Sequence, residues 1–287
     1  MMRTIATVAA TAALLGFAPG VVRAAPTHDV QIDGSALFSR MFVVLGVTSW
    51  LRSDEVQTVQ LHEDTPYRIR TTTGAADFTF TVDSAGKINY GAEAEWFLDG
   101  AGGTKLTLVG VDTTVDARYL SGSGVLISDQ PPNNQDWLRY RTVRLLPGST
   151  YSWQQSSGVV VPFTAGLRWD GTWFYDQHYD VANGGYIGGN DTKTLTFYGR
   201  TLLIDARAAG GTGVSVQDVW GLPFSYSGTQ TVVLLPASPF RLQVRAGEST
   251  NAVFAMADSG DITFDPAVPL AVDRYDGTRR LTVTAPL

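Results

Sequence analysis

Apolar and polar residues alternate one by one along much of this chain. Phe78, Phe80 and Val82 are separated by Thr79 and Thr81, and Leu106 and Leu108 alternate with Lys105 and Thr107. A period of two puts the apolar groups on one face of a β-strand and the β-branched or polar groups on the other. Asp170-Gly171 and Asp258-Ser259-Gly260 lie between such runs and read as hairpin turns, because glycine tolerates positive φ. Leu146-Pro147-Gly148 is a further turn signal. The pattern predicts six or seven strands in every ~85 residues and no convincing helix. Ser35–Leu51 is the best helical stretch, but it aligns with the strand-like 124–138 region and is discounted.

The same succession of motifs occurs three times. Thr58-Val59-Gln60-Leu61, Thr142-Val143-Arg144-Leu145 and Thr231-Val232-Val233-Leu234 are each followed at a similar distance by an aromatic residue, Tyr67, Tyr151 or Phe240. Then come Phe78–Val82, Phe163-Thr164 and Val253-Phe254, a hairpin signal, a Gly-rich stretch and a Thr/Leu-rich strand. Val115-Asp116-Ala117-Arg118 and Ile204-Asp205-Ala206-Arg207 follow, with Val30-Gln31-Ile32-Asp33 as the related strand near the start. Recurrence of the aspartate implies a structural pairing at a strand end.

The expected fold is therefore all-β: three tandem pseudo-repeats, each a β-sandwich-like module, spanning residues 25–112, 113–201 and 202–287. Units of this size stand near the lower limit for an independent core. The alternative is a closed, pseudosymmetric, propeller-like ring in which Val30–Gly34 supplies the final strand of the third unit. Gln130–Gln135 is the nearest thing to a linker, and it falls inside the second unit.

Residues 1–24 have the form of a secretory signal peptide. Arg3 precedes an apolar, Ala-rich run, and Val22-Arg23-Ala24 offers small residues for cleavage. The chain has no cysteine, which excludes disulfides. The expectation is a secreted protein with no membrane segment after cleavage. Without Arg3 and Arg23 the net charge falls from −6 to −8, so nucleic acid is an unfavourable partner. Three Lys against eighteen Arg suggest a high-GC bacterial source.

A residue shared by all three units reads as architecture, and one confined to a single unit is the better candidate for function. The second unit departs most. Trp153 and Trp173 align with aliphatic residues and are expected in the core. Trp169 stands beside the Asp170-Gly171 turn, and an exposed indole there would be a platform for a sugar ring, with a Trp folded over its own hairpin as the competing reading. If residues 176–180 formed a strand, Asp176, His178 and Asp180 would share one face and could serve acid–base or metal chemistry; a solvated loop is the simpler reading. Tyr186 lies in the Gly-rich 184–191 loop, whose backbone could approach a ligand closely. The chain lacks G-x-S-x-G, H-E-x-x-H and EF-hand patterns, and no cofactor or metal is expected.

The resulting expectation is a binding protein for a carbohydrate or cell-surface ligand, with Trp169, Asp176, His178, Asp180 and Tyr186 around the site. The alternatives are an enzyme acting on extracellular polysaccharide, as a glycoside hydrolase does, and a structural or protein-interaction module.

Overall fold

The computed structural model describes residues 26–38, 41–47, 51–71, 78–127, 138–155, 163–209, 214–216, 228–236, 239–243 and 252–284. Residues 1–24, expected from the sequence to be a signal peptide, Gln130–Gln135 and Trp137 lie outside them. The described residues are nearly all β, and their only helical elements are 3-10 turns. None of these helices is long and apolar enough to cross a membrane.

The first stretch contains β1 (Thr27–Asp33), β2 (Met41–Val44), β3 (Leu51–Arg52), β4 (Val56–His62), β5 (Ile69–Thr71), β6 (Phe80–Val82), β7 (Ile88–Tyr90), β8 (Leu98–Asp99) and β9 (Lys105–Leu108). Next come β10 (Val111–Asp116), β11 (Leu126–Ile127), β12 (Tyr140–Leu145), β13 (Thr150–Gln154), β14 (Thr164–Leu167), β15 (Trp173–Phe174), β16 (Ile187–Gly188) and β17 (Thr194–Phe197). The last are β18 (Arg200–Asp205), β19 (Ser215–Val216), β20 (Thr229–Leu234), β21 (Pro239–Gln243), β22 (Ala252–Met256), β23 (Ile262–Phe264), β24 (Leu270–Tyr275) and β25 (Thr278–Val283).

Three four-stranded sheets have strand orders β4-β1-β9-β8, β12-β10-β17-β16 and β20-β18-β25-β24. In each, the central pair is parallel (β1 with β9, β10 with β17, β18 with β25) and the outer pairs are antiparallel. Two further four-stranded sheets run β11-β13-β14-β15 and β19-β21-β22-β23. Near the N-terminus, β3-β2-β5 and β6-β7 form separate sheets linked by a bridge between Tyr67 and Phe80. None of these sheets closes on itself. The strand exchange of the ring alternative, with Val30–Gly34 completing the third unit, is corrected. β1 pairs with β4 and β9, and the place beside β25 belongs to β18. Packing gives the reason: Val30 and Ile32 are fully buried in one cluster with Leu61, Leu106 and Leu108.

The apolar faces collect into three clusters. One centres on Ile32, Phe42, Phe80 and Leu106, the second on Trp153, Phe163, Trp173 and Phe197, and the third on Ile204, Phe240, Phe254 and Leu281. Trp153 and Trp173 are fully buried, with rings 5.6 Å apart edge-to-face. The recurring aromatics have a visible task. The Tyr67 hydroxyl accepts from His62 N at 2.7 Å, and the Tyr151 hydroxyl accepts from Leu146 N at 3.0 Å. Phe240 fills the third such place without a hydroxyl.

Asp116 and Asp205 each end a central strand and hold an arginine two residues on by paired hydrogen bonds, Arg118 at 2.9 and 2.8 Å and Arg207 at 2.9 and 2.5 Å. Asp33, with Ser35 in the arginine's place, takes Lys105 at 2.7 Å instead. The Lys105 and Ser35 hydrogen bonds bring its pKa from 3.8 down to about 2.

Successive clusters meet through matching contacts. Phe38 N donates to Arg144 O at 2.7 Å, and Ser121 N to Val233 O at 2.9 Å. A Cβ on Gly110 would stand 2.6 Å from Leu37, and one on Gly199 2.5 Å from Leu120. Both glycines have positive φ (70° and 68°), so a side chain there would meet strain as well as collision.

Candidate functional site

The first junction forms a crevice of about 590 Å³ lined by Trp96, Val111, Asp112, Trp169, Asp170 and Lys193. Each lining residue is placed by a short structural device. The 3-10 turn Ala92–Ala94 drops Ala94 and Phe97 into the core and leaves the intervening Trp96 outside, 80% exposed. Trp169 and Asp170 form the turn between β14 and β15, closed by Gly171 N donating to Arg168 O at 3.0 Å. Asp112 stands near the start of β10, where Arg144 holds it with bonds of 2.8 and 2.9 Å.

Trp169 is half-buried. One side of its indole stacks on Phe97, with centroids 5.1 Å apart and planes 26° from parallel. The arrangement offers two indoles of different freedom, two carboxylates and an ammonium within one opening. Both carboxyls sit below their ordinary range: hydrogen bonds from Arg144 lower Asp112, and those from Thr172 lower Asp170. Both are therefore anionic at neutral pH and accept hydrogen bonds only.

The other residues singled out from sequence lie at the second junction. The strand imagined through 176–180 is corrected, because two 3-10 turns occupy that region, Gln177–Tyr179 and Val181–Asn183. Asp176 and Asp180 cap them, accepting from His178 N at 3.1 Å and Ala182 N at 2.9 Å. Short Asx-type bonds of this kind compete with extended backbone, and here they win. His178 Nδ1 lies 2.8 Å from Asp176 and Nε2 lies 3.8 Å from Asp258. Asp180 turns away from them and accepts from the Tyr175 hydroxyl at 3.0 Å.

Tyr186 is buried beneath this group, its hydroxyl donating to Asp258 at 2.9 Å. Burial, then the Asp258 charge, pushes its phenol far above the ordinary tyrosine range. Asp176, His178, Tyr186 and Asp258 thus form a connected polar group, and Trp169 belongs to the other junction. Among the described residues, no group of three or more His, Cys, Asp or Glu side chains is arranged to hold a metal.

Sequence reasoning missed Trp96. Its neighbour Phe97 occupies the same hydrogen-bonded place as Tyr186 and Pro269, whose carbonyls accept from Tyr198 and Thr284 as that of Phe97 does from Val109. Trp96 therefore corresponds to Gly185 and Val268, an aromatic found in one stretch only. The criterion applied to the second unit would have found it in the first.

No protein family, curated protein or solved structure matches the chain.

Proposed function

We propose that this is a secreted, non-catalytic binding protein of three tandem sandwich-like modules, and that it takes a carbohydrate in the crevice between Trp96 and Trp169. The three-module reading rests on the like strand orders of the main sheets, the three apolar clusters and the matching junction contacts. The secreted location rests on the Arg3–Ala24 leader.

The observation that carries the ligand is Trp96. An indole four-fifths exposed is costly to leave in water and has the flat apolar face on which the C–H side of a pyranose packs. Asp112, Asp170 and Lys193 surround it with acceptors and donors suited to hydroxyl groups. Binding is favoured over hydrolysis by the charge states. A glycosidase needs one carboxyl held protonated as general acid, with its pKa raised, and both carboxyls here are lowered.

Chromatography on immobilised polysaccharides, followed by calorimetry with the retained glycan, tests the proposal. Wild-type protein is expected to be retained, and Trp96→Ala and Trp169→Ala to elute with the flow-through. No retention by any polysaccharide, or unchanged affinity in Trp96→Ala, would refute it.

A further inference from the structure

A second crevice of about 240 Å³, at the next junction, has a different chemistry. It is lined by Arg200, Thr201, Ser259, Gly260, Arg274, Gly277, Thr278 and Arg279. Its framework corresponds to that of the first. Val111 and Arg200 stand five residues before Asp116 and Asp205; Asp170 and Ser259 hold the same place in their turns, each followed by a glycine whose N–H closes the turn. Where the first opening has two indoles, this one has three guanidinium groups and three hydroxyls.

The arginines are held in place but incompletely neutralised. Arg200 donates to the Asp258 carbonyl at 3.1 and 3.0 Å and to the Gly184 carbonyl, bonds that fix its position without cancelling its charge. Arg279 pairs with Asp261. Arg274 forms no ion pair among the described residues. Arg279 and Arg274 thus share the field of Asp261, while the hydrogen bonds of Arg200 go to neutral carbonyls.

The register adds an independent observation. In the antiparallel pairing of β24 with β25, Arg274 lies directly opposite Arg279. Like charges at facing positions destabilise a hairpin. The next cross-strand pair, Asp273 with Arg280, is complementary and makes a 2.8 Å bond, so the hairpin has opposite charge available one step along. An anion between Arg274 and Arg279 would turn the repulsive pair into a two-pronged, charge-assisted clamp, a geometry that guanidinium groups serve well.

We infer that this crevice is an oxyanion site for one anionic substituent, a sulfate ester or a carboxylate, of an acidic polysaccharide. The oxyanion part follows from the cations and hydroxyls alone; the polysaccharide part rests on the reading of the first crevice. The size of the opening suits one group, and the protein's overall acidity disfavours extended polyanions such as nucleic acid.

Amide NMR during titration with sodium sulfate, against sodium chloride at matched ionic strength, reads the site directly. Saturable shifts are expected for Arg274, Gly277 and Arg279 with sulfate only, and Arg274→Gln should weaken the fitted affinity at least tenfold while its urea-unfolding midpoint, relieved of the Arg274–Arg279 repulsion, does not fall below the wild-type value. Titration with a sulfated and with a uronate-containing oligosaccharide of the same backbone separates the two sources of the anion.

Absence of saturable shifts with sulfate and with both oligosaccharides, or equal affinity in Arg274→Gln, would overturn the inference even if Trp96 binds neutral glycans. Sulfate and acidic glycan binding that is lost in Arg274→Gln and untouched by Trp96→Ala would support this site and count against the first. Tighter, Arg274-dependent retention by vesicles of an acidic phospholipid would overturn the polysaccharide as the source.

Discussion

The indole of Trp169 lies nearly parallel on the ring of Phe97, 5.1 Å from centroid to centroid, and this stack is part of the join between the first two apolar clusters. Trp169 thus has a packing task, and the proposed function gives it a binding task as well, whereas it gives Trp96 the second alone. Trp169→Ala should lower unfolding free energy by about 2 kcal/mol, from lost stacking and lost apolar burial together. Trp96→Ala, at an exposed position, should stay within about 0.5 kcal/mol of wild type. Urea unfolding of the two variants beside their glycan affinities separates the roles. Equal stability losses would show that Trp96 is structural.

Tyr186→Phe removes the donor that faces Asp258 inside the second junction. The expected cost is about 1 kcal/mol, the usual net worth of one buried hydrogen bond. The phenol also predicts an alkaline limb. Tyr186 is raised mainly by burial, and burial pushes Tyr151 up to about 12. A group whose folded pKa exceeds its unfolded value stabilises below the unfolded value, near 10, and its contribution is lost as pH climbs from there through the folded value. Spectrophotometric titration should show these two tyrosines ionising only as the fold is lost, and Tyr186→Phe should flatten the fall in stability above pH 10.

The acid limb has the opposite sign. Asp33, at about 2, and Asp116 and Asp205, both lowered first by their arginine hydrogen bonds, lie below their unfolded values. Their contribution is complete above pH ~4 and is lost as pH falls from there toward 2. Carboxyl NMR titration should place Asp33 near 2, and Lys105→Met should move it upward. A midpoint unchanged in Lys105→Met would show that Lys105 is not the cause.

Gln155 is fully buried and ties the second cluster to β20. Its amide donates to Ser121 O at 2.8 Å and Val233 O at 3.3 Å, and its oxygen accepts from Leu235 N at 2.6 Å. Gln155→Ala would leave Leu235 N without an acceptor and open a small void, an expected loss of about 2–3 kcal/mol. Hydrogen exchange at Leu235 should accelerate in the same variant. Unchanged protection there would show that the amide is satisfied some other way.

Strands were legible where alternation is strict. Phe80–Val82 and Lys105–Leu108 are strands with the predicted faces buried. The burial of Trp153 and Trp173 was legible because aliphatic residues hold the same places elsewhere in the pattern. Local capping was not. Asp176 and Asp180 look like a strand face when counted by twos, and only their bonds to backbone N–H groups two residues on reveal turns. The partners of Trp169 and Tyr186 were hidden for another reason. Phe97 and Asp258 lie 72 residues from them in the chain, a separation at which neither periodicity nor spacing carries information about contact.

The grip between clusters extends beyond the lining of these openings. Leu37 against Gly110 and Leu120 against Gly199 grip outside both crevices, while Val111, Trp169 and Arg200 each line an opening and also hold its walls together. On the proposed function, preference for a ligand could therefore drift without loosening the architecture at rim residues with no such second task, such as Trp96 and Arg274. A lineage carrying this scaffold would be free to retune those positions, while the shared ones keep each recess in shape.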